Sequence, residues 1–155
     1  MEDLSIIKVL YVDDEAHNLN AFKASFRRVF TVFIALSADE AKQIMSENEI
    51  HVLITDQRMP GTPGTELLAY AVKDKPDQIR ILLTGFSDMD ALQDAVNRGH
   101  IYRYLQKPWD DEILRQTIIE AYQIYALKLE REALTQKLQQ NNEQLEFYLR
   151  HKLLS

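Results

Sequence analysis

Val52-Leu53-Ile54-Thr55-Asp56-Gln57-Arg58-Met59-Pro60-Gly61-Thr62-Pro63-Gly64 is the stretch on which the fold turns. Val52 to Thr55 reads as a strand that stops at Asp56. The eight residues that follow hold the densest proline and glycine cluster in the chain and must form a loop. An acid at the end of an apolar strand, opening onto such a loop, is the pattern to look for elsewhere.

Upstream, Ile6 to Val12 is a short apolar run interrupted only by Lys8, and it ends in Asp13-Asp14-Glu15. Such a run, bounded by polar residues, suits a strand buried on both faces. Leu19, Phe22, Phe26 and Val29 follow at helical spacing. Thr31 to Leu36 reads as a second strand, and Ser37-Ala38-Asp39-Glu40 as a capping box opening a helix with Ala41, Ile44 and Met45 on its apolar stripe. Downstream, Leu67, Leu68 and Ala71 mark a third helix, and Ile79 to Thr84 a fourth strand. Ser87 is placed to cap a fourth helix carrying Ala91, Leu92, Ala95 and Val96. Ile101 to Leu105 predicts a fifth strand before Lys107-Pro108, and the last helix begins near Asp110. Five strands alternating with five helices imply a doubly wound, parallel α/β sheet. Right-handed crossovers cover both faces, and a site is expected beyond the carboxyl ends of the strands.

Composition narrows the function. A length of 155 residues suits one domain or one domain with an appendage. A net charge of −6 disfavours non-specific binding to nucleic acid or anionic lipid, and neither a helix-turn-helix module nor a basic face is evident. The absence of cysteine removes disulfides, thiolate metal sites and cysteine nucleophiles. Met1 to Ser5 has no basic n-region, and no run of apolar residues is long enough to span a membrane. The expectation is a cytoplasmic protein with no membrane or nucleic-acid partner.

The chemistry gathers at strand ends. The first strand ends at Asp13-Asp14, the third at Asp56, the fourth at Thr84 and the fifth just before Lys107. In a parallel sheet these ends share one edge. Three converging carboxylates raise one another's pKa unless a cation joins them, and an all-oxygen acidic pocket suits Mg²⁺. A carboxylate is also a nucleophile toward phosphorus, and the transferring group then needs positive charge and hydrogen-bond donors. Lys107, the Thr84 hydroxyl and Mg²⁺ are placed to supply them.

Asp13-Asp14-Glu15, Asp56 followed by Met59-Pro60-Gly61, Thr84-Gly85 and Lys107-Pro108 together resemble the signature of response-regulator receiver domains over about residues 6 to 125. The resemblance implies a flavodoxin-like (βα)5 fold with strand order 2-1-3-4-5 and a phosphoacceptor signalling domain rather than a turnover enzyme. It implies that Asp56 accepts phosphoryl from a histidine kinase or phosphotransfer protein. Asp14 and Asp56 would bind Mg²⁺ directly, Arg58 through its backbone carbonyl, and Asp13 through a water. Lys107 would pair with the phosphoryl group, Pro108 would follow a cis peptide bond, and Thr84 and Tyr104 would form the switch. Tyr104 also admits a plain packing role, as strand aromatics often have. Gly85 stands where the family more often has alanine. Phe86 replaces a polar residue that helps position hydrolytic water in some members, which implies a longer-lived aspartyl phosphate. Ile101 to Asp110 resembles receivers attached to HD-type cyclic-dinucleotide phosphodiesterases.

From Asp110 onward there is neither proline nor glycine. One continuous helix there would run roughly 65 Å at about 1.5 Å per residue. A heptad passes through Ile124, Leu127, Arg131, Leu134, Leu138, Asn141, Leu145 and Tyr148, with Arg131 and Asn141 as polar seam positions. The expected organisation is a receiver at 1–125 and a coiled-coil signalling helix at 126–155, extending the fifth helix. Leu127, Leu134, Leu138 and Leu145 would pair two copies into a parallel homodimer that carries the signal to an output domain. The same leucines could instead fold back onto the domain.

Two rival functions remain at this point. A receiver-like dimerisation adaptor that is never phosphorylated would have lost a pocket residue, and none is missing. A phosphohydrolase of the haloacid-dehalogenase type would carry Asp-x-Asp on its first strand, which Asp13-Asp14-Glu15 does not match. His17, His51, His100 and His151 have no ligand spacing, and Trp109 is expected to pack.

Overall fold

The computed structural model describes residues 3–85 and 89–154. Strands β1 (Lys8–Val12), β2 (Thr31–Ala35), β3 (Val52–Asp56), β4 (Ile79–Thr84) and β5 (Arg103–Gln106) alternate with helices α1 (Ala16–Phe26), α2 (Ala38–Glu47), α3 (Gly64–Asp74), α4 (Met89–Asn97) and α5 (Asp111–Leu154). All strand pairs are parallel, and the sheet order is β2-β1-β3-β4-β5. This is the flavodoxin-like architecture expected.

Successive strand residues point to opposite faces, and both faces are apolar because helices cover each. Tyr11, Ile54, Ile81 and Leu83 point to one side, where they meet Phe22 and Phe26 of α1 and Leu114 and Ile118 of α5. Leu10, Leu53 and Leu82 point to the other, against Met45 of α2, Leu67 and Leu68 of α3, and Leu92 of α4. Apolar helix residues are thereby matched to apolar strand residues on both faces.

Several boundaries differ from expectation. Ile6 is not in the first strand. Leu4–Ile6 forms a 3₁₀ turn capped by the Asp3 carboxylate, and Ile6 is exposed. Val29 lies beyond the end of α1, in a turn where its amide donates to the Phe26 carbonyl, yet it still packs on the α1 core. The second strand stops at Ala35 rather than Leu36, and the third includes Asp56. The fifth begins at Arg103, not Ile101. Gly99 (φ 71°) ends α4, with the Gly99 and His100 amides turned back onto Val96 and Ala95, so the chain straightens only later. The Ser37 hydroxyl accepts from the Glu40 amide at 3.2 Å, but the Glu40 carboxylate reaches back to Leu36, one residue before the box would place it. Asp110 caps α5 through the Glu112 and Ile113 amides. Ser87 and Phe86 lie outside the described residues.

The amino-terminal foot of the sheet carries an aromatic group around buried His51. His51, just before β3, accepts from the Lys8 amide on Nδ1 at 3.0 Å, which leaves Nε2 to donate to Glu49 at 2.8 Å. Its ring lies against Tyr122 and Tyr125 of α5. The Tyr125 hydroxyl donates to the same Glu49 carboxylate. Burial first, and Glu49 second, push the Tyr125 phenol up to about 12, whereas the His51 hydrogen bond holds the Glu49 carboxyl below its ordinary range.

The chain divides into two units, Met1–Tyr125 and Ala126–Ser155. Ile124 belongs to the first and packs, partly buried, on its core. In the second, Leu127, Leu134, Leu138 and Leu145 are 56–63% exposed. No helix of the described residues is long and apolar enough to cross a membrane.

Candidate functional site

β1 ends immediately before Asp13, whose amide still pairs with the Ala35 carbonyl of β2. Asp56 closes β3 opposite Leu83 of β4, and Thr84 follows one step further along. Thr84 pairs with Gln106 of β5, which delivers Lys107 to the same edge. Parallel register therefore assembles the site from residues far apart in the chain.

Carboxylate oxygens of Asp13, Asp14 and Asp56 lie within 4.8 Å of one another, with Asp14 exposed and the other two buried. Lys107 Nζ is 2.7 Å from Asp13 Oδ2 and 3.3 Å from Asp56 Oδ1. Asp13 Oδ2 also accepts from the Tyr11 hydroxyl at 2.5 Å and from Asn18 Nδ2 at 3.1 Å, and its Oδ1 accepts from the Glu15 amide. The peptide bond between Lys107 and Pro108 is cis, as expected.

Charge in this pocket is set by burial against pairing. Burial disfavours the Asp13 carboxylate, but the hydrogen bonds from Lys107, Tyr11 and the Glu15 amide outweigh it and lower its pKa. For Asp56 burial prevails. Lys107 opposes it, the Asp13 charge adds to it, and the pKa is raised. Burial works against the Lys107 ammonium, yet the Asp13 hydrogen bond and the Asp56 charge more than offset this, and its pKa rises. Tyr11 is pushed up by its burial and by Asp13. The pocket is thus a lysine locked onto one carboxylate beside a second that is less willing to ionise.

The loop after β3 is built around the backbone of Asp56. The Gln57 amide bonds to Leu83, its carbonyl accepts from Gly64, and its buried side chain caps the start of α3 at Thr65. A Cβ on Gly64 would sit 2.2 Å from the Asp56 carbonyl oxygen, so only glycine lets α3 start this close to the acid. Arg58, next in that loop, has an exposed side chain.

The sequence-derived residues divide in two. Asp13, Asp14, Asp56 and Lys107 come together, with Thr84 buried on the neighbouring strand end. Tyr104 stands apart, 45% exposed on β5. Trp109 packs edge-on against Tyr11 and Phe22, as a packing residue should. Tyr11, Asn18, Gln57 and Gly64 escaped the sequence reading. Period-two alternation carried a signal for Tyr11, which shares its strand face with Asp13. For Gln57 no local pattern exists.

The family model of the response regulator receiver domain matches residues 9–119. The chain belongs to this family. The receiver is 32% identical over 124 residues to the hydrogenase transcriptional regulatory protein HoxA of Bradyrhizobium diazoefficiens, covering 80% of this chain and 26% of that protein. Among solved structures, it is similar to adenylate cyclase from Rhodopirellula baltica, with 31% identity, a TM-score of 0.81 and coverage of 84% of this chain and 97% of that one. It is also similar to the signal receiver domain of an HD domain-containing protein from Pseudomonas fluorescens Pf-5, with 32% identity, a TM-score of 0.76 and coverage of 81% and 93%. The chain spans about a quarter of the length of the curated relatives it matches.

The receiver's donor set fits Mg²⁺. The groups that could hold the ion are carboxylates, one exposed and two buried beside the Lys107 ammonium, so among the described residues negative charge is in excess there. The lone pairs of Asp13 Oδ2 are already taken by three donors, which leaves Asp14 and Asp56 as the freer carboxylates.

Proposed function

We propose that this receiver accepts a phosphoryl group on Asp56 from the phosphohistidine of a histidine kinase or phosphotransfer protein, and transmits the change through a parallel pair of its C-terminal helices. The observation that carries the reading is the setting of Asp56: a strand-end carboxylate, 3.3 Å from a lysine and clustered with two further acids. In the transfer, an Asp56 carboxylate oxygen bonds to phosphorus while the phosphorus–nitrogen bond breaks, and its electron pair returns to the donor imidazole. Asp14, Asp56 and the Arg58 carbonyl would hold Mg²⁺, with Asp13 acting through a water. The bound ion supplies positive charge for the phosphoryl oxygens.

Lys107 moves from Asp13 to a phosphoryl oxygen, and the Thr84 hydroxyl donates to another. Tyr104, exposed before phosphorylation, turns inward behind Thr84 and reshapes the surface of α4, β5 and α5. Residues 126–155 act as the signalling helix. Its exposed leucines favour a second copy as partner, because such a seam in water gains by burial. An output domain following the helix fits the greater length of the relatives.

The test is intact-protein mass after incubation with acetyl phosphate. One phosphoryl adduct is expected with Mg²⁺, and none with EDTA or in Asp56→Asn. Failure of the native chain both to form an adduct and to bind beryllofluoride would overturn the reading in favour of a phosphorylation-independent dimerisation adaptor.

A further inference from the structure

Tyr11 has a hydroxyl that the transfer described above leaves unused. It lies wholly buried on β1, two residues before Asp13 and on the same strand face. Its ring is held by Phe22 at 4.8 Å and by the edge of Trp109 at 5.7 Å, so the phenol has one direction in which to donate. That direction is Asp13 Oδ2, which also receives Lys107 and Asn18. A carboxylate oxygen offers about two lone pairs, and here three donors share them.

We infer that Tyr11 is a positioning residue for the acceptor site: its donation keeps Asp13 Oδ2 from the metal and releases Lys107 for the incoming phosphoryl group. This rests on the proposed transfer to Asp56. When Lys107 leaves, Tyr11 and Asn18 still fill both lone pairs, so Asp13 Oδ2 keeps its hydrogen bonds without its cation. Without the phenol, Asp13 grips Lys107 harder and presents more uncompensated charge to Mg²⁺.

A hydroxyl that merely satisfied itself against the nearest acceptor would affect stability alone. The two readings separate on Tyr11→Phe, which keeps the ring. Mg²⁺ affinity is read from Trp109 fluorescence; Trp109 is the single tryptophan and lies two residues after Lys107. The phosphorylation rate by acetyl phosphate is read by intact mass at saturating Mg²⁺. Loss of one charge-assisted hydrogen bond should tighten Mg²⁺ binding roughly fivefold and slow the maximal rate roughly fivefold. Loss of packing would weaken both or neither.

In an Asp13→Asn background, Tyr11→Phe should change neither quantity, because its effect runs through that carboxylate. Should Tyr11→Phe not fold, 3-fluorotyrosine at position 11, a stronger donor, should shift both quantities the opposite way. Native protein that takes no phosphoryl group would sink the transfer to Asp56 itself. Native protein that is phosphorylated, beside a variant matching it in both affinity and rate, would sink only the role of Tyr11.

Discussion

Asp56 is held in a pocket that does not favour its charge. Burial and the neighbouring Asp13 raise its pKa, and Lys107 offsets this only in part. An acid whose folded pKa exceeds its unfolded value, near 3.9, destabilises the fold once pH passes the folded value, and costs nothing below the unfolded one. Asp56→Asn should therefore raise the Tm in EDTA at neutral pH by a few degrees. That gap should close as pH falls below the unfolded pKa, and it should narrow when Mg²⁺ is added, since the ion stabilises the native acid. Calorimetry across pH, with and without the metal, checks all three. At Gly64 the constraint is steric. Gly64→Ala would drive a Cβ into the Asp56 carbonyl at 2.2 Å, and the forced shift of the loop should cost roughly 2 kcal/mol and slow phosphorylation. Urea unfolding of the variant, beside its acetyl phosphate kinetics, measures both. Asp13, Asp56 and Lys107 were legible because each ends or follows an apolar run. Tyr11 was only half legible: alternation puts it on the Asp13 face, but in a strand its ring reads as core until Phe22 and Trp109 are seen to hold it beside Asp13.

Among the elements, α5 is the one whose sequence promises more than one chain uses. It runs 44 residues without a break. Its first part is buried against β-strand side chains through Leu114 and Ile118, while Leu127, Leu134, Leu138 and Leu145 face water. Leu134→Lys with Leu138→Lys should leave the receiver folded and abolish self-association, because two charges would enter the seam. Sedimentation velocity would report the loss of dimer, and unchanged phosphorylation of Asp56 would show that the domain is intact. A native chain that sediments as a monomer at high concentration would refute the pairing. Periodicity made this helix readable, and Asp110 announced its start. The ends of β1, α1 and β5 were less readable. There the Asp3-capped 3₁₀ turn at Leu4–Ile6, the turn at Val29 and the Gly99 cap set ends that hydrophobic periodicity alone does not mark.

For the molecule as a whole, the order β2-β1-β3-β4-β5 converts sequence distance into proximity: strands adjacent in space deliver Asp13, Asp56, Thr84 and Lys107 to one edge. Topology of this kind was legible because apolar runs alternated with amphipathic ones, and right-handed crossovers leave few arrangements. What the alternation could not show is the opposite edge. His51 was expected only to pack or lie at the surface. It does pack, at the centre of a group that ties exposed Glu49 to half-buried Tyr122 and Tyr125, and its partners come from the α2–β3 loop and from α5, distant in sequence.

That foot gives β3 two very different ends. His51 directly precedes the strand and bears on Tyr125, the last residue of the receiver unit, while Asp56 closes the strand at the acidic edge. Five residue steps, about 16 Å of extended chain, separate them. In mechanical terms, β3 is a strut with one end against Tyr125 of α5 and the other at the acidic edge. Were Asp56 phosphorylated as proposed, a displacement of β3 along its axis would reach α5 through His51 and Tyr125 as well as by way of β5.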